Sequence, residues 1–175
     1  MKGFKNTYFE IAKIIELPCL NLSTYEASRV LEDSILLQDA KLHHNTLEKL
    51  VEIIKSDESM GGYYSFKLIK LAIELKNESI LEATVITFEE KLADYHAYEI
   101  IKQTIELDNN KVFEFVWNNL SSNLDSYHSN KLMEEVSEKL LDRFTDDFNV
   151  NLALGCQIGF SEISGDEVKG KFLGV

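Results

Sequence analysis

Four histidines, two cysteines and several adjacent carboxylates are the side chains of this 175-residue chain best suited to chemistry. His43 and His44 are neighbours, and on a helix they point about 100° apart, so they cannot clasp one ion as an i, i+4 pair does. His96 and His128 each stand alone, and no metal is assigned to them. Cys19 and Cys156 lie outside any Cys-x-x-Cys spacing and read as two buried thiols of a reducing compartment. Glu89-Glu90, Glu134-Glu135 and Asp146-Asp147 offer carboxylates for acid–base work, yet they match no pocket pattern and read as solvated helix faces. Met60-Gly61-Gly62-Tyr63 offers backbone N–H groups to an anion at a helix start, but two glycines before a helix are more simply a connector. The nucleophile-elbow, phosphate-loop, zinc-protease and dinucleotide-binding fingerprints do not occur. The expectation is a protein without catalytic residues or cofactor, not an enzyme.

Charge narrows the choice of partner. Eighteen Lys and Arg face 30 Asp and Glu, a net −12, which disfavours a nucleic-acid backbone or an anionic membrane and favours a basic protein. A 45% hydrophobic content supplies a packed core for one domain. Near the N-terminus Glu10, Lys13 and Glu16 interrupt any signal-peptide core, and no stretch approaches a membrane span, so a cytoplasmic protein is expected.

The elements that position these residues read as helices. One proline, Pro18, and glycines concentrated late in the chain leave long stretches free of breakers. Apolar residues recur at helical spacing in Leu47, Leu50, Val51 and Ile54, in Tyr64, Leu68, Leu71, Ala72 and Leu75, and in Leu81, Val85, Phe88 and Leu92. Ser23 with Glu26 and Asn45 with Glu48 have capping-box spacing, and Asn77, Asp94 and Asn109 are plausible caps. About eight helices are expected.

Sliding the chain by 32 positions lays residues 69–77 on 101–109 with six of nine identical, and aligns Tyr63, Tyr95 and Tyr127. Tyr64, His96 and His128 follow at the next position. A looser copy begins at Tyr25, 38 positions before Tyr63, and an insertion near Asp39 to His44 accounts for the longer spacing. The second helices then start at Asn45, Asn77 and Asn109, with Leu50, Leu81 and Phe113 entering the core. Trp117 joins Phe113 on that stripe. The recurring tyrosine reads as a packing wedge with its hydroxyl at the rim, and the variable neighbour as the position where recognition differs between copies. The fold class is all-α: a single domain of stacked helical hairpins, α-solenoid-like repeats of about 32 residues, in units near 23–56, 63–92, 95–120 and 127–163. Residues 148–160 alternate apolar and polar or small residues and are open between strand and helix, and 165–175 reads as a loose tail.

The run Leu71-Ala72-Ile73-Glu74-Leu75-Lys76-Asn77-Glu78-Ser79-Ile80-Leu81 resembles the inner-to-outer helix junction of an ankyrin repeat, as does its copy from Gln103 to Phe113. The stretch from Asn151 to Ile163 is similar to the ankyrin Pro-Leu-His-x-Ala-Ala-x-x-Gly-His-x-Glu-Val run. The Thr-Pro opening, the junction glycine of the internal copies and the Asp-Gly hairpin are missing, and a HEAT-like or armadillo-like stack fits equally well. In size, charge and architecture the chain also resembles the immunity proteins of bacterial toxin systems, such as contact-dependent growth inhibition. That resemblance implies a stoichiometric inhibitor that covers the active site of a basic toxin domain, commonly a nuclease. Repeat phase and charge nominate Asp57, Glu58, Tyr64, Asp94, His96, Tyr98, Glu99, Asp125 and His128 as partner-binding residues. A general helical-repeat adaptor is the alternative.

Overall fold

A computed structural model describes residues 2–17, 20–107 and 109–141. Cys19, Cys156, the alternating segment 148–160, the third ankyrin-like run and the tail lie outside the described residues. Eight α-helices occur among the described residues: α1 (Lys2–Glu16), α2 (Thr24–Leu36), α3 (Ala40–Lys55), α4 (Gly61–Leu75), α5 (Glu78–Phe88), α6 (Asp94–Glu106), α7 (Asn110–Leu120) and α8 (Ser126–Leu141). No strand occurs among them, as an all-α fold requires.

Even-numbered helices pack in one row, α2 on α4, α4 on α6 and α6 on α8, and odd-numbered helices in a second, α1 on α3, α3 on α5 and α5 on α7. Each pair α2–α3, α4–α5 and α6–α7 is a hairpin whose apolar stripe is completed by the next hairpin. One hydrophobic core runs between the rows from Ala27 to Leu132.

The repeat is visible in burial. In the odd-numbered row, Leu42, His43, Thr46, Leu47 and Leu50 of α3 are buried, then Ile80, Leu81, Thr84, Val85 and Phe88 of α5, then Val112, Phe113, Val116, Trp117 and Leu120 of α7. These sets are offset by 38 and then 32 positions, so 80 − 42 = 38 and 112 − 80 = 32.

The caps carry the same offsets: the side chains of Asp39, Asn77 and Asn109 accept the N–H groups of Leu42, Ile80 and Val112 at 3.0, 3.3 and 3.3 Å. Two expectations need correction. Asn45 does not open a helix but lies inside α3, because Asp39 caps six residues earlier and the buried stripe begins at Leu42. The extra residues of the first unit therefore belong to the end of α3 and the turn at 56–60, not to 39–44. Ala93, not Asp94, is the cap of α6. Ser23 and Glu26 do form a capping box at α2.

Non-glycine residues close α2 and α4: Gln38 and Lys76, again 38 apart, have φ of 55° and 56°. Glycine is needed instead where α4 leaves the turn. A Cβ on Gly61 would stand 2.5 Å from the Ile54 carbonyl oxygen, so the two glycines serve close backbone approach. Gly61→Ala is expected to lower stability by about 1–3 kcal/mol, as overpacking does; chemical denaturation measures it, and an unchanged midpoint would mean that the turn at 56–60 yields freely.

Candidate functional site

The turns that lead into α4, α6 and α8 lie at one edge of the stack, with the N-termini of the even-numbered helices. They are acidic in composition: Asp57, Glu58, Glu89, Glu90 and Asp125 stand in residues 56–60, 89–93 and 121–125, with Lys91 the single basic residue there. The turns are stitched together, since the Asn123 amide donates to the carbonyls of Glu89 and Leu92 at 2.7 and 3.2 Å. Asp57 accepts from Ser59 N–H, Ser59 Oγ and Met60 N–H at 3.0, 2.8 and 2.9 Å. Together with the Thr24 hydroxyl, the Met60 and Ser59 donors hold its carboxyl down at about 2.

On this edge stands the row of recurring tyrosines. Tyr25, Tyr63, Tyr95 and Tyr127 occupy the first turns of α2, α4, α6 and α8 and are 58, 49, 52 and 64% exposed. They are not wedges. The wedge position lies two residues on, where Ala27, Ser65 and Ala97 are wholly buried and a small side chain lets adjacent helices approach.

The variable neighbour packs between units. His96 stacks on Phe66 of the preceding unit at 4.7 Å and 15°, and His128 packs on Tyr98 of the preceding unit at 5.5 Å. Since 98 − 66 and 128 − 96 are both 32, these are one inter-unit contact made twice. Tyr64 meets Tyr63 edge-on at 5.4 Å.

Four of the nine nominated residues come together here. Asp94, Tyr98, Asp125 and His128 cluster between α6 and α8, whereas His96 faces Phe66 of α4, Asp57 and Glu58 sit in the turn before α4, Tyr64 lies on α4, and Glu99 is half-buried on α6. Asp125 accepts the His128 backbone N–H at 2.7 Å and its ring Nδ1–H at 2.8 Å, while Asp94 lies 3.6 Å from the same nitrogen. The His128 amide N–H, foremost, lowers the Asp125 pKa. Tyr98 is wholly buried, so it cannot touch a partner in this structure; it is a platform for His128 and for the ammonium groups of Lys102 and Lys131 at 5.6 and 4.9 Å from its ring centroid. Burial lowers the His96 pKa against the opposing pull of Asp94, and His96 Nδ1 is buried without a hydrogen-bond partner.

The ligand-type atoms of Asp94, Asp125 and His128 lie within 4.8 Å of one another, a spacing that a divalent ion could bridge. The helix cap already accounts for that geometry, because Asp125 holds both the amide and the ring of His128. Cations one turn along the even-numbered helices are engaged internally: Arg29 and Lys67 clamp buried Glu32 at 2.9 and 2.6 Å, and Lys70 lies 6.0 Å from the Phe66 ring centroid.

A buried polar site outside the nominated residues is centred on His43. Its Nδ1 lies 2.8 Å from Ser34 Oγ and its Nε2 2.9 Å from Thr84 Oγ1, at zero exposure. His44, its neighbour, is exposed beside Glu48 at 3.3 Å.

No helix among the described residues is long and apolar enough to cross a membrane. No family model, no curated protein and no solved structure matches the chain.

Proposed function

We propose that this protein is a protein-binding inhibitor of the bacterial immunity type, which neutralises a basic partner, in the specific form of the proposal a nuclease toxin domain, by covering its active site. One observation carries the reading: four exposed tyrosines recur at the same position of the even-numbered helices, beside turns in which carboxylates outnumber cations. Tyrosine gives large contact area at low entropic cost and is favoured at protein interfaces. Carboxylates around such a row steer a cationic surface toward it and stand where a nuclease expects phosphates. Stoichiometric covering needs no catalytic group on the inhibitor.

The test begins with the protein encoded beside this gene, co-purified and eluted in a salt gradient. A one-to-one complex, tight at low salt and inactive as a nuclease, is the expected result. Changing Asp94, Glu99 and Asp125 together to lysine is expected to weaken that complex by about 10–100-fold in titration calorimetry, with a flatter salt dependence. Unchanged affinity in the triple variant would overturn the proposal.

A further inference from the structure

The periodicity of the exposed tyrosines specifies the shape of what they hold. Tyr25, Tyr63, Tyr95 and Tyr127 each lie in the first turn of a helix, and those helices stack in the order α2, α4, α6, α8. Packed helices stand about 8–10 Å apart, so the rings form a row with that repeat. Between Tyr95 and Tyr127 the row is joined by His128, whose ring lies 6.1 Å from Tyr95 and 5.1 Å from Tyr127.

A polyproline II segment has three residues per turn and rises about 3.1 Å per residue, so side chains three apart emerge on one face about 9 Å apart. A β-strand does not fit the same row, because its side chains alternate and residues three apart point to opposite faces. The charge of the edge sets the side chain. Asp94 and Asp125 flank the last two rings and are half-exposed, and the charged residues of the turns are acidic apart from Lys91. Aromatic faces in this molecule already accept cations, as Lys131 over Tyr98 at 4.9 Å illustrates.

We infer that the tyrosine row binds an extended, polyproline II-like segment of a basic protein, with arginine or lysine at every third residue, each cation lying on one exposed ring. Arginine suits the site better than lysine because its planar guanidinium stacks on a ring while its N–H groups reach a flanking carboxylate. The inference rests on the reading of the partner as basic, and deepens it by naming the element recognised.

Two peptides of the same composition test it, one with four Arg-Pro-Ser triplets and one with its four arginines contiguous. Their charge is equal, so simple electrostatic attraction binds both alike. The expected result is that the triplet peptide binds at least about tenfold more tightly by fluorescence anisotropy. Tyr63→Ala with Tyr95→Ala is expected to erase the preference, and Tyr63→Phe with Tyr95→Phe to keep it, because the ring face makes the contact. Circular dichroism checks that both variants are folded. Equal binding of the two peptides, or loss of the preference in the phenylalanine pair, would overturn the inference. If the intact partner is captured but neither peptide is favoured, the inference fails and the inhibitor proposal stands. Register-dependent peptide binding with no basic partner to be found reverses that outcome.

Discussion

Acidification from pH 7 to 4 is expected to remove about 3 kcal/mol of folding stability through His43 alone, and His43→Leu is expected to abolish that loss. Burial, foremost, and the neighbouring His44 push the His43 pKa from 6.5 down to about 4. The folded state therefore resists a proton that the unfolded chain accepts. Stability from the neutral ring is fully present above about pH 6.5 and disappears as the pH falls toward 4, and a gap of about 2.5 units corresponds to about 3 kcal/mol. Ser34 Oγ and Thr84 Oγ1 also reach the carbonyls of Leu31 and Ile80 at 2.7 and 2.6 Å. A neutral ring donates to one hydroxyl, which keeps its carbonyl bond, and accepts the single proton of the other, which then gives up its carbonyl; both ring nitrogens are satisfied. A protonated ring donates to both, with its charge held in the core.

Leucine is the informative replacement, because one unit along the chain the same three positions are Ala72, Leu81 and Val116, with no polar side chain. After His43→Leu both hydroxyls are free to donate to the carbonyls of Leu31 and Ile80, so the variant has no stranded donor. Urea denaturation of both proteins across pH 4–7 isolates the effect, since Glu26, Asp57 and Asp125, whose carboxyls are held below their ordinary values, lose their shares near pH 4 equally in both. Parallel stability curves for the two proteins over that range would refute the account.

His43 also marks where the sequence stops being legible. The capping residues Ser23, Asn77 and Asn109 could be read because an N-cap is a local bargain between one side chain and an amide two or three residues on. Asn45 with Glu48 satisfies the same local pattern inside a helix, where the burial of Leu42, Thr46 and Leu47 on one stripe extends α3 through it. The longer spacing of the first copy does not by itself say where the extra residues fall, and an insertion before α3 sets His43 out of register with Leu81 and Phe113. With the 38-residue offset carried through both helices, His43 falls on a core position, and that signal was present in the sequence. The tyrosines show the opposite limit. Recurrence identified Tyr63, Tyr95 and Tyr127 as equivalent, but repetition fixes a position and not the direction a side chain points. In the first turn of a helix, residues two apart face different sides, so the core took the small residues at 27, 65 and 97 and left the rings outside.

Tyr98→Ala is expected to cost about 3–5 kcal/mol. Tyr98 is among the largest side chains with no exposure at all, and it lies at the junction of α6 and α8. Its ring seats His128 and lies under the ammonium groups of Lys102 and Lys131, so truncation opens a cavity and removes the seat of the His128–Asp125 pair together. Tyr98→Phe keeps the ring and changes only contacts of the hydroxyl, including the 3.3 Å approach of Lys102 Nζ, and is expected to stay within about 1–1.5 kcal/mol of the native protein. Tyr95→Ala, three residues earlier but half-exposed, is expected to change stability by about 0.5 kcal/mol or less. Hydrogen exchange locates the damage: in Tyr98→Ala, amides of residues 126–134 lose protection while those of α2 and α3 keep theirs, because each unit contacts its neighbours and not units further off. If Tyr98→Ala proved as stable as Tyr95→Ala and weakened partner binding instead, the ring would be a contact residue after all, and the packing between α6 and α8 would have to be drawn differently.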